Sequence, residues 1–301
     1  MQTPFLGCGT ALVTPFKKDE SLDEEAIRRL VDFQVGDGID FLVPAGTTGE
    51  NPTLSDDEIY RLVEIVCDQV DSRVPVMAGC GGNSTKRVIE LGRRLQKLPI
   101  DSLLSVTPYY NKPTQEGLSR HYKNIADTLE KPVILYNVPG RTGVKLEMET
   151  IIRLSEHQNI MGLKDATGDL GEASHIIAHA DENFSVLSGE DHLIFPLLAL
   201  GGHGCISVIS NQVPGDIALL CDKIFEGDYE SARIMHSAYM TLMEANFMES
   251  NPIPIKFALS HMGLIEEVYR LPMTPLSKDL KKIYLELIEP LKLKEHVKRY
   301  V

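Results

Sequence analysis

Short apolar runs rich in β-branched residues alternate with longer stretches of helical period, and the alternation is repeated eight times. The runs are Gly9–Thr14, Phe41–Ala45, Val74–Gly79, Ser102–Thr107, Pro132–Asn137, Ile160–Ala166, Phe184–Ser188 and Gly204–Ile209. Each is continuously apolar rather than alternating, the pattern of parallel strands covered on both faces. The intervening stretches carry helix signals. Ser21 with Glu24 reads as a capping box ahead of Ile27, Leu30, Val31 and Val35, and Ser55 with Glu58 as another ahead of Ile59, Leu62, Val63 and Val66.

Eight βα units in succession predict an α/β fold, a (β/α)8 TIM barrel. An open doubly wound sheet is the other architecture of this pattern. It would place a glycine fingerprint after the first strand, where this chain has Thr14-Pro15-Phe16. The alternation stops after Gly227. Residues 228–301 read as helices only, Tyr229–Met248 being the longest, so the expected division is a catalytic barrel over 1–227 and a C-terminal helical domain over 228–301.

Composition narrows the function. The net charge of −13, from 30 basic and 43 acidic residues, disfavours nucleic acid and anionic membrane as partners. No apolar run approaches the ~20 residues that span a bilayer, and Met1 to Phe16 lacks the pattern of a secretory signal. Five scattered cysteines without a C-x-x-C read as reduced thiols. A cytoplasmic location is the expectation.

In a barrel the active site gathers at the carboxyl ends of the strands. Lys164 is the most informative residue there, because a lysine in an apolar strand is costly unless paired or deprotonated. Strand alternation groups it with Gly162 and Ala166, small residues that leave room for a ligand. A deprotonated lysine is the nucleophile for imine formation with a ketone; the bland alternative is a lysine that snorkels out or pairs with an acid. Tyr110 and Tyr136, with a threonine hydroxyl, could pass a proton without a metal, or simply pack with wet hydroxyls. The turn Thr47-Thr48-Gly49 offers hydroxyls and N–H groups to a carboxylate, and Arg141 a bidentate clamp for a second one; an ordinary turn and an exposed loop arginine are the alternatives. His175 and His179 stand i, i+4 without a third ligand. Gly79-Cys80-Gly81-Gly82 lacks the rest of a phosphate loop, and no nucleophile elbow is present.

Taken in order, Gly46-Thr47-Thr48-Gly49-Glu50, Thr107-Pro108-Tyr109-Tyr110-Asn111, Tyr136-Asn137-Val138-Pro139-Gly140-Arg141-Thr142-Gly143, Gly162-Leu163-Lys164-Asp165-Ala166-Thr167 and Gly201-Gly202-His203-Gly204 resemble the dihydrodipicolinate synthase family, within the superfamily that includes N-acetylneuraminate lyase. The likeness extends to Leu271-Pro272-Met273-Thr274-Pro275. It implies condensation of pyruvate with L-aspartate-4-semialdehyde to 4-hydroxy-tetrahydrodipicolinate, on the diaminopimelate route to lysine. By the resemblance Lys164 forms the imine, and Tyr136, Thr47 and Tyr110 relay protons, Tyr110 in the neighbouring subunit's site. Thr48, with Thr47, holds the pyruvate carboxylate, Arg141 receives the carboxylate of the aldehyde, and Gly189 and Ile206 complete the pocket. It further implies no metal or organic cofactor and a homotetramer of two tight dimers. Arg141-Thr142 and the Thr47-Thr48 pair separate the chain from the sugar-acid lyases, which stay as the second reading, with a non-enzymatic keto-acid-binding barrel as the third. One departure concerns inhibition by lysine. Asn83 and Tyr109 match parts of the family's lysine site, but Asp56 and Ile59 stand in place of histidines and Arg87 in place of a glutamate. A cation there repels lysine's ammonium, so weak or absent inhibition is expected.

Overall fold

The structure, a computed structural model, describes residues 5–300; Met1–Pro4, part of the N-terminal stretch read above, and Val301 lie outside the described residues. The chain runs β1 (Gly7–Ala11), α1 (Glu24–Gly36), β2 (Phe41–Val43), α2 (Asp56–Val70), β3 (Met77–Gly79), α3 (Thr85–Leu95), β4 (Ser102–Val106), α4 (Gln115–Thr128), β5 (Val133–Asn137), α5 (Pro139–Thr142), α6 (Met148–Ser155), β6 (Ile160–Asp165), α7 (Leu170–His179), β7 (Ser185–Ser188), α8 (Ile194–Ala199), β8 (Gly204–Ser207) and α9 (Pro214–Phe225). After it come α10 (Tyr229–Ala245), α11 (Ile253–His261), α12 (Lys278–Ile288) and α13 (Leu293–His296). All eight strands are parallel, in the order β2-β1-β8-β7-β6-β5-β4-β3. A parallel bridge between Leu42 and Val76, with Leu42 N–H donating to Pro75 O at 3.0 Å and Gly79 N–H to Pro44 O at 2.9 Å, joins β2 to β3. The expected (β/α)8 barrel is thereby closed, and helices follow it.

The strand pattern divides the core in two. One set of side chains, including Ala11, Phe41, Val43, Met77, Leu104, Ile134, Leu187 and Ile206, fills the barrel interior. The other set packs the outer strand faces against the helices, as Leu42, Leu103, Leu135 and Leu163 do. Being covered on both sides is what makes the strands read as unbroken apolar runs. Their bounds shift from the sequence reading. β1 begins two residues earlier than Gly9 and stops at Ala11, and the run ending at Ile209 closes at Ser207 before a 3-10 turn, Ile209–Asn211. Apolar character marks burial, which continues past the last ladder hydrogen bond.

The capping box on Ser55 forms, with its hydroxyl accepting from Glu58 N–H and Glu58 reaching back to Ser55 N–H. The one expected on Ser21 does not. Ser21 turns to Asp19, and Asp23 caps α1 by accepting from Ala26 N–H at 3.1 Å; an aspartate two residues nearer the helix is an equally good cap. The helix expected over Tyr229–Met248 ends at Ala245.

The C-terminal helices are fastened by polar as well as apolar contacts. The buried Tyr284 hydroxyl of α12 donates to Asn246 Oδ1 at 2.6 Å and accepts from Gln212, which in turn accepts from Asn246 Nδ2. All five cysteines are buried and unpaired. Among the described residues no helix is long and apolar enough to cross a membrane.

Candidate active site

The mouth at the carboxyl ends of the strands holds a cavity of about 250 Å³, lined by Thr47, Tyr136 and Arg141 together with Gly46, Gly79, Gly81, Val106, Tyr109 and Val138. Thr47 arrives in the turn after β2, and Tyr136 and Arg141 from β5 and the short helix that follows it. Tyr136 is the fourth residue of β5, on the inward face with Ile134. Lys164 sits one residue from the carboxyl end of β6, paired in register with Tyr136. It is 6% exposed, and its Nζ lies 4.5 Å from the centroid of the Tyr136 ring. Lys164 does not itself line the cavity; Tyr136 is the residue that joins the two.

Space for the lysine is set by glycine. A methyl group at Gly189 would fall 2.9 Å from Ala166 Cβ and 3.1 Å from Lys164 Cε. Gly189 N–H is held by Asp165 O at 2.6 Å, so backbone and lysine stem pass in close contact. The electrostatic surroundings are acidic. The carboxylates of Glu190 and Asp191 both feel the charge of Lys164. Burial raises each above the usual carboxylate range, and the N–H groups of Val208 and Ile209 and the charge of Lys164 work against this at Asp191. Asp165 is likewise pushed up to about 6 by burial, with Thr167 opposing. Ile206, 1% exposed, belongs to the barrel interior.

The turn after β2 is closed on itself. Gly49 N–H donates to Gly46 O and Glu50 N–H to Thr47 O, both at 3.1 Å. The N–H groups of Thr47 and Thr48 have no backbone partner among the described residues, which leaves two donors and a hydroxyl for an anion. The turn leads into a 3-10 segment, Asn51–Thr53, before α2, rather than directly into a helix. Thr48 is buried at 3% exposure and lies outside the cavity lining; its hydroxyl accepts from Asn251 Nδ2 at 3.0 Å.

Arg141 stands on α5, which Gly143 ends in a left-handed conformation at φ 73°. Asn137 pins the following loop, its side chain bonding Leu146 N–H and O. The Arg141 guanidinium donates to Asn251 O at 3.3 Å. Tyr110 is the residue the single chain does not bring in. It has φ 73° and is 89% exposed, projecting away although its neighbour Tyr109 lines the cavity. Asn251 was missed by the sequence reading; its only local signal is an asparagine before proline in a helical region.

Beside the main cavity a smaller one of about 170 Å³ gathers Asp56, Ile59, Asn83, Arg87 and Tyr109, the positions compared above with a lysine site. His175 and His179 stack at 6.0 Å between ring centroids, with His179 Nδ1 against His175 O. Among the described residues no group of three or more His, Cys, Asp or Glu is placed to hold a metal ion.

A closed parallel barrel with a buried lysine beside a tyrosine at the strand ends defines a class, the lyases that work through a lysine Schiff base. The chain belongs within that class to the dihydrodipicolinate synthetase family, whose model matches residues 4–290. A 4-hydroxy-tetrahydrodipicolinate synthase of Chloroherpeton thalassium is 48% identical over 285 residues, covering 94% of this chain and 94% of that protein. The crystal structure of a chloride-inhibited dihydrodipicolinate synthase from Acinetobacter baumannii, complexed with pyruvate, has a TM-score of 0.93 at 42% identity, over 94% of this chain and 98% of that one. That of the Cyanidioschyzon merolae enzyme with lysine bound has a TM-score of 0.94 at 38% identity, over 97% of this chain and 100% of that one. The relatives favour the synthase over both the sugar-acid lyase and the non-enzymatic barrel.

Proposed function

We propose that the chain makes 4-hydroxy-tetrahydrodipicolinate, the activity for which its relatives are named, from pyruvate and L-aspartate-4-semialdehyde, with Lys164 as the imine-forming residue. The observation that carries the assignment is the setting of Lys164. It is a buried lysine against the Tyr136 ring, beside a glycine that leaves its stem room, at the carboxyl end of a barrel strand.

The chemistry follows in order. The amine attacks the ketone carbon of pyruvate, the carbinolamine loses water, and the resulting iminium acidifies the methyl carbon, which gives up a proton to the relay as its C–H electrons form the enamine. The enamine carbon adds to the aldehyde. The amino group of the second substrate then attacks the imine carbon, releasing Lys164 and closing the ring. Every step moves a proton over a short path. The hydroxyls of Tyr136 and Thr47, which make no hydrogen bond among the described residues, are free to carry it. Tyr110 completes this relay in a neighbouring subunit, as its exposure in the single chain favours. On this reading the active form is the homotetramer, a dimer of dimers, that the family resemblance implies, acting in the cytoplasm. Thr47 and Thr48 hold the pyruvate carboxylate, Arg141 the carboxylate of the semialdehyde, and Gly189 and Ile206 shape the pocket. Residues 1–227 form the catalytic barrel and 228–301 the C-terminal helical domain.

Incubation with pyruvate and borohydride, followed by peptide mass spectrometry, tests the assignment. A reduced pyruvyl adduct on Lys164, absent from Lys164→Met, is expected. An unlabelled but folded protein would overturn the imine reading. Lysine is expected to inhibit weakly or not at all, because Arg87 stands in the smaller cavity. Half-inhibition by sub-millimolar lysine would contradict this.

A further inference from the structure

We infer that Asn251 is a positioning residue for the substrate pocket, through which the segment between α10 and α11 orients the turn after β2 and the arginine on α5 together. This rests on the proposed function, since Thr48 and Arg141 are the anion-holding positions of that reading. Three observations support it. Asn251 is 4% exposed. Its Nδ2 donates to Thr48 Oγ1 at 3.0 Å, while its own carbonyl accepts from the Arg141 guanidinium at 3.3 Å. One residue thus contacts Thr48, buried in the turn after β2, and Arg141, which lines the mouth after β5, 203 and 110 positions away in sequence. Its side-chain Oδ1 is buried without a partner, a cost that packing alone gives no reason to keep.

The contact has a chemical consequence. A threonine hydroxyl that accepts from an amide has its own proton directed elsewhere, and rotation of the Oγ is restricted. Thr48 is thereby left as a donor with a fixed direction, the form that an incoming carboxylate can use. The same segment is anchored further on. Lys256 of α11, fully buried, pairs with Glu50 Oε1 at 2.5 Å, two residues beyond Thr48. The C-terminal helices therefore set the geometry of the turn from outside the barrel.

A double-mutant cycle on Asn251→Ala and Thr48→Val tests the inference, read by the pyruvate concentration that half-saturates borohydride-trapped labelling of Lys164. That readout needs no second substrate. Asn251→Ala leaves the backbone carbonyl to Arg141 and removes only the amide. It is expected to raise half-saturation roughly 3- to 10-fold, the worth of one neutral hydrogen bond, with the trapped yield at saturation unchanged. In the Thr48→Val background it should add nothing. A half-saturation unchanged by Asn251→Ala, or an effect fully additive with Thr48→Val, would overturn the inference. If Asn251→Ala does not fold, Asn251→Leu, close in size, uncharged and lacking the amide donor, carries the same cycle with the same two outcomes. An unlabelled wild type would instead refute the imine reading itself, so the two failures are distinguishable.

Discussion

A methyl group added at Gly189 would meet Ala166 Cβ at 2.9 Å, Asp165 O at 3.0 Å and Lys164 Cε at 3.1 Å. The two tighter contacts are with Ala166 Cβ and a strand-end carbonyl, neither of which can swing aside, and only the third is with the flexible lysine stem. Gly189→Ala is accordingly expected to lower the melting temperature and to depress pyruvate labelling of Lys164 together, because the strand end and the lysine are both displaced. A large loss of stability with labelling intact would show that the glycine serves the backbone instead. The environment of Lys164 was only partly legible from sequence. Its strand, its inward face and its small neighbours Gly162 and Ala166 followed from period-two alternation. That Glu190 and Asp191, at the end of β7, reach the same mouth followed from the barrel; that burial raises both acids while the charge of Lys164 acts on them did not.

Among the elements, α2 shows how a boundary becomes a joint. Ser55 and Glu58 close its N-terminus reciprocally, and Glu58 also receives the Arg270 guanidinium from the loop after α11. The Arg270 hydrogen bond, with Ser55 helping and burial opposing, lowers Glu58 from the ordinary 4.5 to about 2. A carboxyl depressed on folding contributes stability that is fully present above its unfolded pKa and is lost as pH falls through the folded one. The stability gap between the wild type and Glu58→Gln should thus be constant above about pH 5 and shrink toward zero by about pH 2. Urea midpoints across that range measure it; a gap that is independent of pH would assign the effect to lost packing. Such a joint explains why the helix was readable and its partner was not. The Ser-x-x-Glu spacing announces a cap locally, as at Ser55. The same spacing at Ser21 misled, because Asp23 competes for the same turn. An arginine more than 200 residues away leaves no trace in either pattern.

At the scale of the molecule, two features reach across its parts. The buried Lys256–Glu50 pair joins α11 to the turn after β2, and burial pushes the Lys256 amine down even though Glu50 favours its charged form. Lys256→Met leaves Glu50 buried without its partner and is expected to cost about 3–5 kcal/mol. Adding Glu50→Gln should recover part of that loss in chemical denaturation. A double variant as unstable as the single one would mean that side-chain packing, not charge, is what the pair supplies. The second feature is the exposed Tyr110, which the proposed function places in a neighbouring subunit's site. If each pocket takes its tyrosine from a neighbour, Lys164→Ala and Tyr110→Phe chains are each nearly inactive alone. Refolded together in equal amounts, they should regain about a quarter of wild-type activity through mixed pairs. No recovery would confine Tyr110 to its own chain. The barrel as a whole was plain in the eightfold alternation; the expectation of a homotetramer came from the resemblance alone, because nothing in the hydrophobic pattern distinguishes a tyrosine awaiting a partner from one merely wet.

The seam between β2 and β3 gives the barrel an uneven resistance to opening. Strands β5 and β6 are paired from Val133–Ile160 to Asn137–Asp165, whereas β2 meets β3 at a single bridge flanked by the Leu42 and Gly79 amides. Gly79 and Gly46, at that seam, also line the cavity. In deuterated water the amide hydrogens of Leu42 and Gly79 should therefore exchange well before those of β5 and β6. The barrel would breathe on the flank where substrates enter, while the strands carrying Tyr136 and Lys164 stay shut.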